Sequence, residues 1–164
     1  MAELGSDAIR FSSEPALGGP STVVEVGQDG PGSRYRVSVA YLAGHPASGW
    51  RKLGSFHFWL NGDDFKRLLH EVEQAEQQQS ENDAGAGGVD EDGERDIIVC
   101  TDGPGYITEI RSHGVTRWIS GSCGDTANNA IASLMARLVR YGTGVFLKHL
   151  DGGSQPSLRL PDKE

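Results

Sequence analysis

Two segments of the chain alternate apolar and polar residues with the period of two that is typical of half-buried β-strands. In residues 34–41 every odd position is apolar or aromatic, whereas Arg34, Arg36 and Ser38 occupy even positions. In residues 50–60 the last apolar positions, Phe56 and Phe58 among them, alternate in the same way. A third strand is predicted over residues 21–28, which are rich in valine.

Two other segments have the 3.6-residue period of amphipathic helices. The first apolar stripe consists of Phe65, Leu68, Leu69, Val72 and Ala75. The second consists of Ala127, Ala130, Ile131, Leu134, Met135, Leu138 and Val139. Asp125 is predicted to cap the second helix and Gly142 to end it, because aspartate favours helix starts and glycine favours helix ends.

A tetrapeptide repeat relates the two halves of the chain. Asp-Gly-Pro-Gly occupies residues 29–32 and 102–105, and Gly-Asp precedes each helix at 62–63 and 124–125. With strands also predicted over 95–101, 106–112 and 115–121, both halves have the plan βββα. The alternative is that Asp-Gly-Pro-Gly is ordinary turn chemistry, since aspartate, proline and glycine all favour turns.

One βββα unit is too small to bury a stable core, so the two halves are expected to join. We therefore predict an α+β fold, with antiparallel strands and both helices packed on one face of the sheet. The predicted halves are residues 21–76 and 96–150. Residues 1–20 are predicted to be an irregular N-terminal segment, residues 77–95 a flexible acidic linker, and residues 151–164 a loose C-terminal tail.

The charge of the chain is concentrated in one segment. The 164 residues carry a net charge of −8. Residues 71–96 contain ten carboxylates and one arginine, a balance of −9, so the remaining residues sum to about +1. The sequence therefore describes a nearly neutral domain with an acidic linker rather than an evenly acidic protein.

The N-terminal residues and the cysteines indicate the compartment. The first twenty residues include early acidic side chains and no apolar run typical of an export signal. The two cysteines, Cys100 and Cys123, do not make a disulfide framework. We expect a cytoplasmic protein without a membrane span, and the frequency of arginine, alanine and glycine favours a bacterial source.

Cys123 is the one candidate for covalent chemistry. It lies in Gly-Ser-Cys-Gly-Asp at the predicted start of the second helix, where the helix dipole lowers a thiol pKa. With His57 or His113 nearby it would be a nucleophile. The alternative is a small residue in a tight turn. The five histidines have no metal-ligand spacing, and no phosphate-binding glycine motif is present, so no metal or cofactor is expected.

The strand alternation predicts a binding surface on the sheet face away from the helices. It places Arg34, Arg36, His57 and Trp59 there, together with Arg111 from the second half. Arginine and tryptophan are frequent in protein-binding hot spots and on nucleic-acid-binding surfaces. Arg117 and Trp118 must lie on opposite faces, and the sequence leaves open which of them is buried.

The leading hypothesis is a non-enzymatic binding protein that engages one protein partner, with the acidic linker steering a basic partner. In size, and in lacking a catalytic motif, the chain is similar to bacterial immunity and antitoxin-type proteins as a class, although no motif carries this similarity. One alternative is a small cysteine-dependent enzyme that uses Cys123. Others are a nucleic-acid binder that uses the arginine and tryptophan face, and a homodimer that pairs through an edge strand.

Overall fold

A computed structural model describes residues 7–15, 19–30, 33–45, 49–85, 105–121, 126–152 and 156–160. The elements are, in chain order, β1 (Ala8–Glu14), β2 (Ser21–Gln28), β3 (Arg34–His45), β4 (Gly49–Asn61), α1 (Gly62–Gly85), β5 (Gly105–Ser112), β6 (Val115–Gly121), α2 (Thr126–Leu150) and β7 (Ser157–Leu158). The strands form one seven-stranded sheet of order β6-β5-β1-β2-β3-β4-β7. All neighbours are antiparallel except β4 and β7. The predicted α+β class is confirmed.

Strand β1 is an interior strand of the sheet, although it lies within the segment that the sequence predicts to be irregular. It pairs with β2 on one side and with β5 on the other. Ile9 and Phe11 are buried in the core, whereas Arg10 between them forms ion pairs on the opposite face. The alternation is short and is followed by a turn-rich stretch, so this strand is defined by its two partners more than by its own pattern.

The core fills the space between one face of the sheet and the helices. The buried strand residues on this face are Ile9, Phe11, Val24, Val26, Val37, Val39, Phe58, Leu60, Ile110 and Ile119. From α1, Phe65 stacks on Tyr35 with ring centroids 3.8 Å apart. From α2, Gly142 lies against the ring of Phe58. Of the predicted stripe of α2, Ile131, Met135 and Leu138 are buried, whereas Ala130 is exposed.

Helix α1 is capped by the residue that precedes it. The Asn61 side-chain oxygen accepts a hydrogen bond of 2.8 Å from the Asp64 backbone N–H, and the Asn61 amide donates to the Asp64 carboxylate. This is a reciprocal cap of the type that stabilises helix starts. At its other end α1 continues to Gly85, so residues 77–85 are helical although they were predicted to begin the linker.

Helix α2 passes through Gly142 and ends at Leu150, so the predicted stop at Gly142 is wrong. Gly142 is needed inside the helix because Phe58 occupies the space that a Cβ would fill. The helix ends instead before Gly152, whose φ of 91° is easily adopted only by glycine. Residues Ala130–Leu150 reach a mean hydropathy of 1.2, as core helices of soluble proteins also do, which is weak evidence for a membrane span.

The segment predicted as a loose tail contributes to the fold. Ser157 and Leu158 pair in parallel with Trp59 and Leu60 at the edge of β4. The Arg67 guanidinium donates a hydrogen bond of 2.9 Å to the Leu160 carbonyl and also pairs with Asp64. Residues 156–160 therefore attach the C-terminal region to β4 and to α1.

The plan of two βββα halves stays a prediction. Strand, turn, strand and helix follow one another in β3-β4-α1 and again in β5-β6-α2. However, β5 has β1 on one side and β6 on the other, so β1 occupies the position where the strand predicted over 95–101 would pair with β5. Residues 86–101, Asp125 and most of the second Asp-Gly-Pro-Gly turn lie outside the described residues.

Candidate functional site

The face of the sheet opposite the helices is the candidate site, and we call it the open face. Within the described residues neither helix packs on it. The strand register defines two rows of side chains across it. One row is Thr116, Arg111, Ala8, Gly27, Arg36 and Trp59. The other is Trp118, Glu109, Arg10, Glu25, Ser38 and His57.

An ion-pair network occupies the centre of the open face. The Arg10 guanidinium lies 2.7 Å from a Glu25 carboxylate oxygen through Nε and 2.8 Å from a Glu109 oxygen through Nη1. The side chains of Arg10 and Glu109 are only 11% and 12% exposed, whereas Glu25 is 45% exposed. The network joins β2, β1 and β5 and satisfies a charge that would be costly to bury alone.

Trp59 belongs to a packed cluster at one side of the open face. Its indole N–H donates a hydrogen bond of 2.7 Å to the Asp29 carboxylate, and Asp29 begins the first Asp-Gly-Pro-Gly turn. The Arg34 guanidinium carbon lies 5.2 Å from the Trp59 ring centroid, within cation–π range. His57 meets the same ring edge-on at 5.0 Å. Asp29 and Arg34, at the two ends of the β2–β3 connection, therefore hold it against Trp59 of β4.

The structure brings four of the five predicted site residues together and leaves the fifth apart. Arg36 is exposed and lies directly opposite Trp59 in the register, beside Arg34 and His57. Arg111 is on the same face, but β1 and β2 separate its strand from β3. Three strand spacings place it about 14 Å from Arg36. The predicted residues thus share a face without forming one cluster.

Trp118 is the open-face residue that the sequence did not assign. It is 59% exposed and lies opposite Glu109, whereas Arg117 points to α1 and pairs with Glu73 at 2.8 Å. Ile107, on the neighbouring strand, is 46% exposed on the same face. The sequence pattern could have assigned Trp118 to the open face. Ile119 is apolar and buried, and Arg117, two positions earlier, must share its face, so Trp118 between them points the other way.

The open face is basic although the chain is acidic. The register places five basic and three acidic side chains on it, Arg10, Arg34, Arg36, Lys52 and Arg111 against Glu14, Glu25 and Glu109. Asp29, bonded to Trp59, adds a fourth carboxylate, so the basic excess is one side chain. Several carboxylates of α1 lie on the other side of the sheet, where Glu73 and Glu76 pair with Arg117. In the described residues the two sides of the sheet therefore differ in charge.

The residues proposed for a cysteine-dependent enzyme are not brought together among the described residues. Cys123 lies outside the described residues. His57 is on β4, and His113 is in the β5–β6 turn with β1, β2 and β3 between their strands. In the parts of the chain that the structure describes, no three histidine, cysteine or carboxylate side chains are grouped as metal ligands.

The chain was compared with protein-family models, with curated proteins and with solved structures. No family model matches it, and neither a curated protein nor a solved structure does. Its function is therefore argued from its own geometry.

Proposed function

We propose that the chain is a non-enzymatic binding protein whose open face binds an acidic surface of one protein partner. The observation that carries the proposal is the exposure of Trp118 and Ile107 side by side on a basic face of the sheet on which neither described helix packs. A cytoplasmic immunity or antitoxin-type protein is one form of this proposal.

The apolar part of the open face has the composition of an interface centre. Glu109 pairs with Trp118, and Ile107 pairs with Ser120, so Trp118 and Ile107 are diagonal neighbours on adjacent strands. Tryptophan is enriched among residues that dominate binding energy, and such residues are surrounded by polar groups that exclude water. Arg111, on the strand of Ile107, supplies a neighbouring polar group.

The charge of the open face determines the kind of partner. The sequence alone indicated a basic partner steered by the acidic linker, whereas the excess of basic side chains on this face favours an acidic partner surface. The carboxylates of α1, on the opposite side, would repel the same partner. Such two-sided charge orients a partner during association and gives specificity.

A nucleic acid is the less favoured ligand of this face. Base stacking needs a free aromatic ring, but Arg34 lies over the Trp59 ring and the Trp59 N–H is bonded to Asp29. Of the described tryptophans, Trp118 (59% exposed) and Trp50 (42% exposed) have accessible rings, but four strands lie between β6 and β4, which carry them.

The experiment combines affinity capture from the native host with reconstitution. The captured protein is identified, purified and titrated against the wild type, Trp118→Ala, Arg111→Ala and Leu147→Ala. Leu147 is the matched control, because it is exposed and apolar but lies on α2. We expect Trp118→Ala to weaken binding by at least about tenfold and Leu147→Ala to leave it unchanged.

Three results would overturn the proposal. One is a reconstituted complex that tolerates both Trp118→Ala and Arg111→Ala but is lost with Leu147→Ala. Another is capture that disappears after nuclease treatment, which would identify a nucleic-acid ligand. The third is light scattering that shows a homodimer dissociated by Trp118→Ala, which would assign the open face to self-association.

A further inference from the structure

A cavity of about 360 Å³ lies on the other side of the sheet, between its helix-facing surface and α2. Its sheet wall consists of Phe11, Ser13, Thr22, Val24, Tyr41 and Tyr106. Its helix wall consists of Ala132, Met135, Ala136, Val139 and Arg140. This volume falls within the range of about 300–1,000 Å³ that small-molecule sites occupy.

The cavity exists because small side chains face one another between large ones. On the sheet, Tyr106 pairs with Ser13, Ser13 with Thr22, and Thr22 with Tyr41, so two tyrosines flank two small hydroxyl residues in one cross-strand row. On α2, alanine occurs at positions 132 and 136, one turn apart, on the ridge that continues to Arg140. Neither wall fills the gap over Ser13 and Thr22.

The cavity combines aromatic walls with polar groups that can bind a ligand. The row supplies four hydroxyl groups, from Ser13, Thr22, Tyr41 and Tyr106, and none of them is hydrogen-bonded to a described residue. The rings of Phe11 and Tyr106 stack with centroids 5.8 Å apart and form an aromatic surface. Aromatic ligands prefer such offset contacts with aromatic walls.

Among the described residues, Arg140 is the only charged one that lines the cavity. Its guanidinium lies 5.9 Å from the Tyr141 ring centroid, and no carboxylate among the described residues pairs with it. An arginine that lines an apolar cavity and has no counter-ion among the described residues favours an anionic group, which it can bind with two parallel hydrogen bonds.

We propose that this cavity binds a small aromatic monocarboxylate. The ring would lie between Phe11, Tyr106 and the alanine ridge of α2, and the carboxylate would be bound by Arg140. The hydroxyls of the row would hydrogen-bond polar substituents of the ligand. This site is independent of the open face, because the sheet separates them.

The test uses three probes that differ in charge but share one ring and chain: 3-phenylpropionate, 3-phenylpropionamide and 3-phenylpropylamine. Affinities are measured by calorimetry and by chemical-shift changes for the wild type, Arg140→Gln, Ala136→Leu and Arg137→Gln. Arg137→Gln is the matched control, because it removes the same charge from the side of α2 that pairs with Glu71. Circular dichroism establishes that each variant is folded.

We expect the carboxylate to bind at least about tenfold more tightly than the amide, and Arg140→Gln to remove that difference. Ala136→Leu should abolish binding by filling the cavity, and Thr22→Tyr should do so from the sheet side if Ala136→Leu does not fold. Arg137→Gln should bind like the wild type. Equal affinity for the carboxylate and the amide, or no binding of any probe to the folded wild type, would refute the proposal.

Discussion

A Cβ atom added to Gly142 would lie 2.0 Å from Cε1 of Phe58, so α2 crosses β4 at a distance that only glycine permits. Phe58 is fully buried and cannot swing away without disturbing the core. We expect Gly142→Ala to lower the free energy of unfolding by about 1–3 kcal/mol, as overpacked cores do. Urea denaturation followed by circular dichroism measures this.

Gly144, two residues further along α2, provides the control. A Cβ at Gly144 meets nothing within 4 Å, and the residue is exposed. Gly144→Ala should therefore stabilise the protein by about 0.5–1 kcal/mol through helix propensity alone. A destabilisation by Gly142→Ala that Phe58→Leu does not reduce in the double variant would contradict the role assigned to this contact.

The same contact explains what the sequence could and could not predict. The stripes of α1 and α2 follow from local helix geometry, so Phe65, Leu68 and Met135 were predicted correctly to face the core. A glycine within a helical pattern has the same local signature whether it ends the helix or admits a neighbouring ring. Only the position of Phe58, which is distant in sequence, distinguishes the two.

The candidate site shows the same limit. Alternation along β3 and β4 was enough to place Arg36 and Trp59 on one face. The separation of Arg111 from them depends on strand order, because β1 inserts between β5 and β2. Strand order is a long-range property, and the short pattern of β1 gave no indication that it would lie between β5 and β2.

The central ion network gives the second prediction. Arg10→Met would leave the Glu109 carboxylate, 12% exposed, without its 2.8 Å partner. Removing one member of a buried pair typically costs about 3–5 kcal/mol, and we expect the lower part of this range because both side chains keep some solvent contact. Thermal and urea denaturation of the purified variant measure the loss.

Two further variants separate the members of this network. Arg10→Met combined with Glu109→Leu should recover most of the lost stability, because an apolar pair replaces the buried charges. Glu25→Gln should cost less than about 1 kcal/mol, since Glu25 is 45% exposed. Equal losses for Glu25→Gln and Arg10→Met would show that burial does not determine the strength of these pairs.

For Thr108 we predict a substitution that maintains or increases the stability of the protein. It is fully buried on β5, and its side-chain oxygen has no hydrogen-bond partner among the described residues. Thr108→Val keeps the shape and removes a polar group whose burial costs about 1–3 kcal/mol. We expect the variant to be at least as stable as the wild type, and more stable by up to about 1 kcal/mol. A clear loss of stability would instead reveal a hydrogen-bond partner of this hydroxyl.

The ionisation of Tyr35 is expected to make the stability of the protein depend on pH in the alkaline range. Burial against the Phe65 ring raises the pKa of the Tyr35 hydroxyl above its ordinary value of 10.0, and the negative charge of Asp7 raises it further. The folded state therefore holds this proton more tightly than the unfolded state does. Its contribution to stability is fully present below the unfolded pKa and is lost as the pH rises through the folded pKa.

The measurement compares wild type and Tyr35→Phe by urea denaturation between about pH 8 and 11. The free energy of unfolding of the wild type should fall above about pH 10 more steeply than that of Tyr35→Phe, which has no proton to lose at this position. Asp7→Asn should lower the pKa of Tyr35 while burial keeps it above 10.0, so its curve should lie between the other two. Parallel curves for wild type and Tyr35→Phe would show that the proton of Tyr35 is not linked to folding.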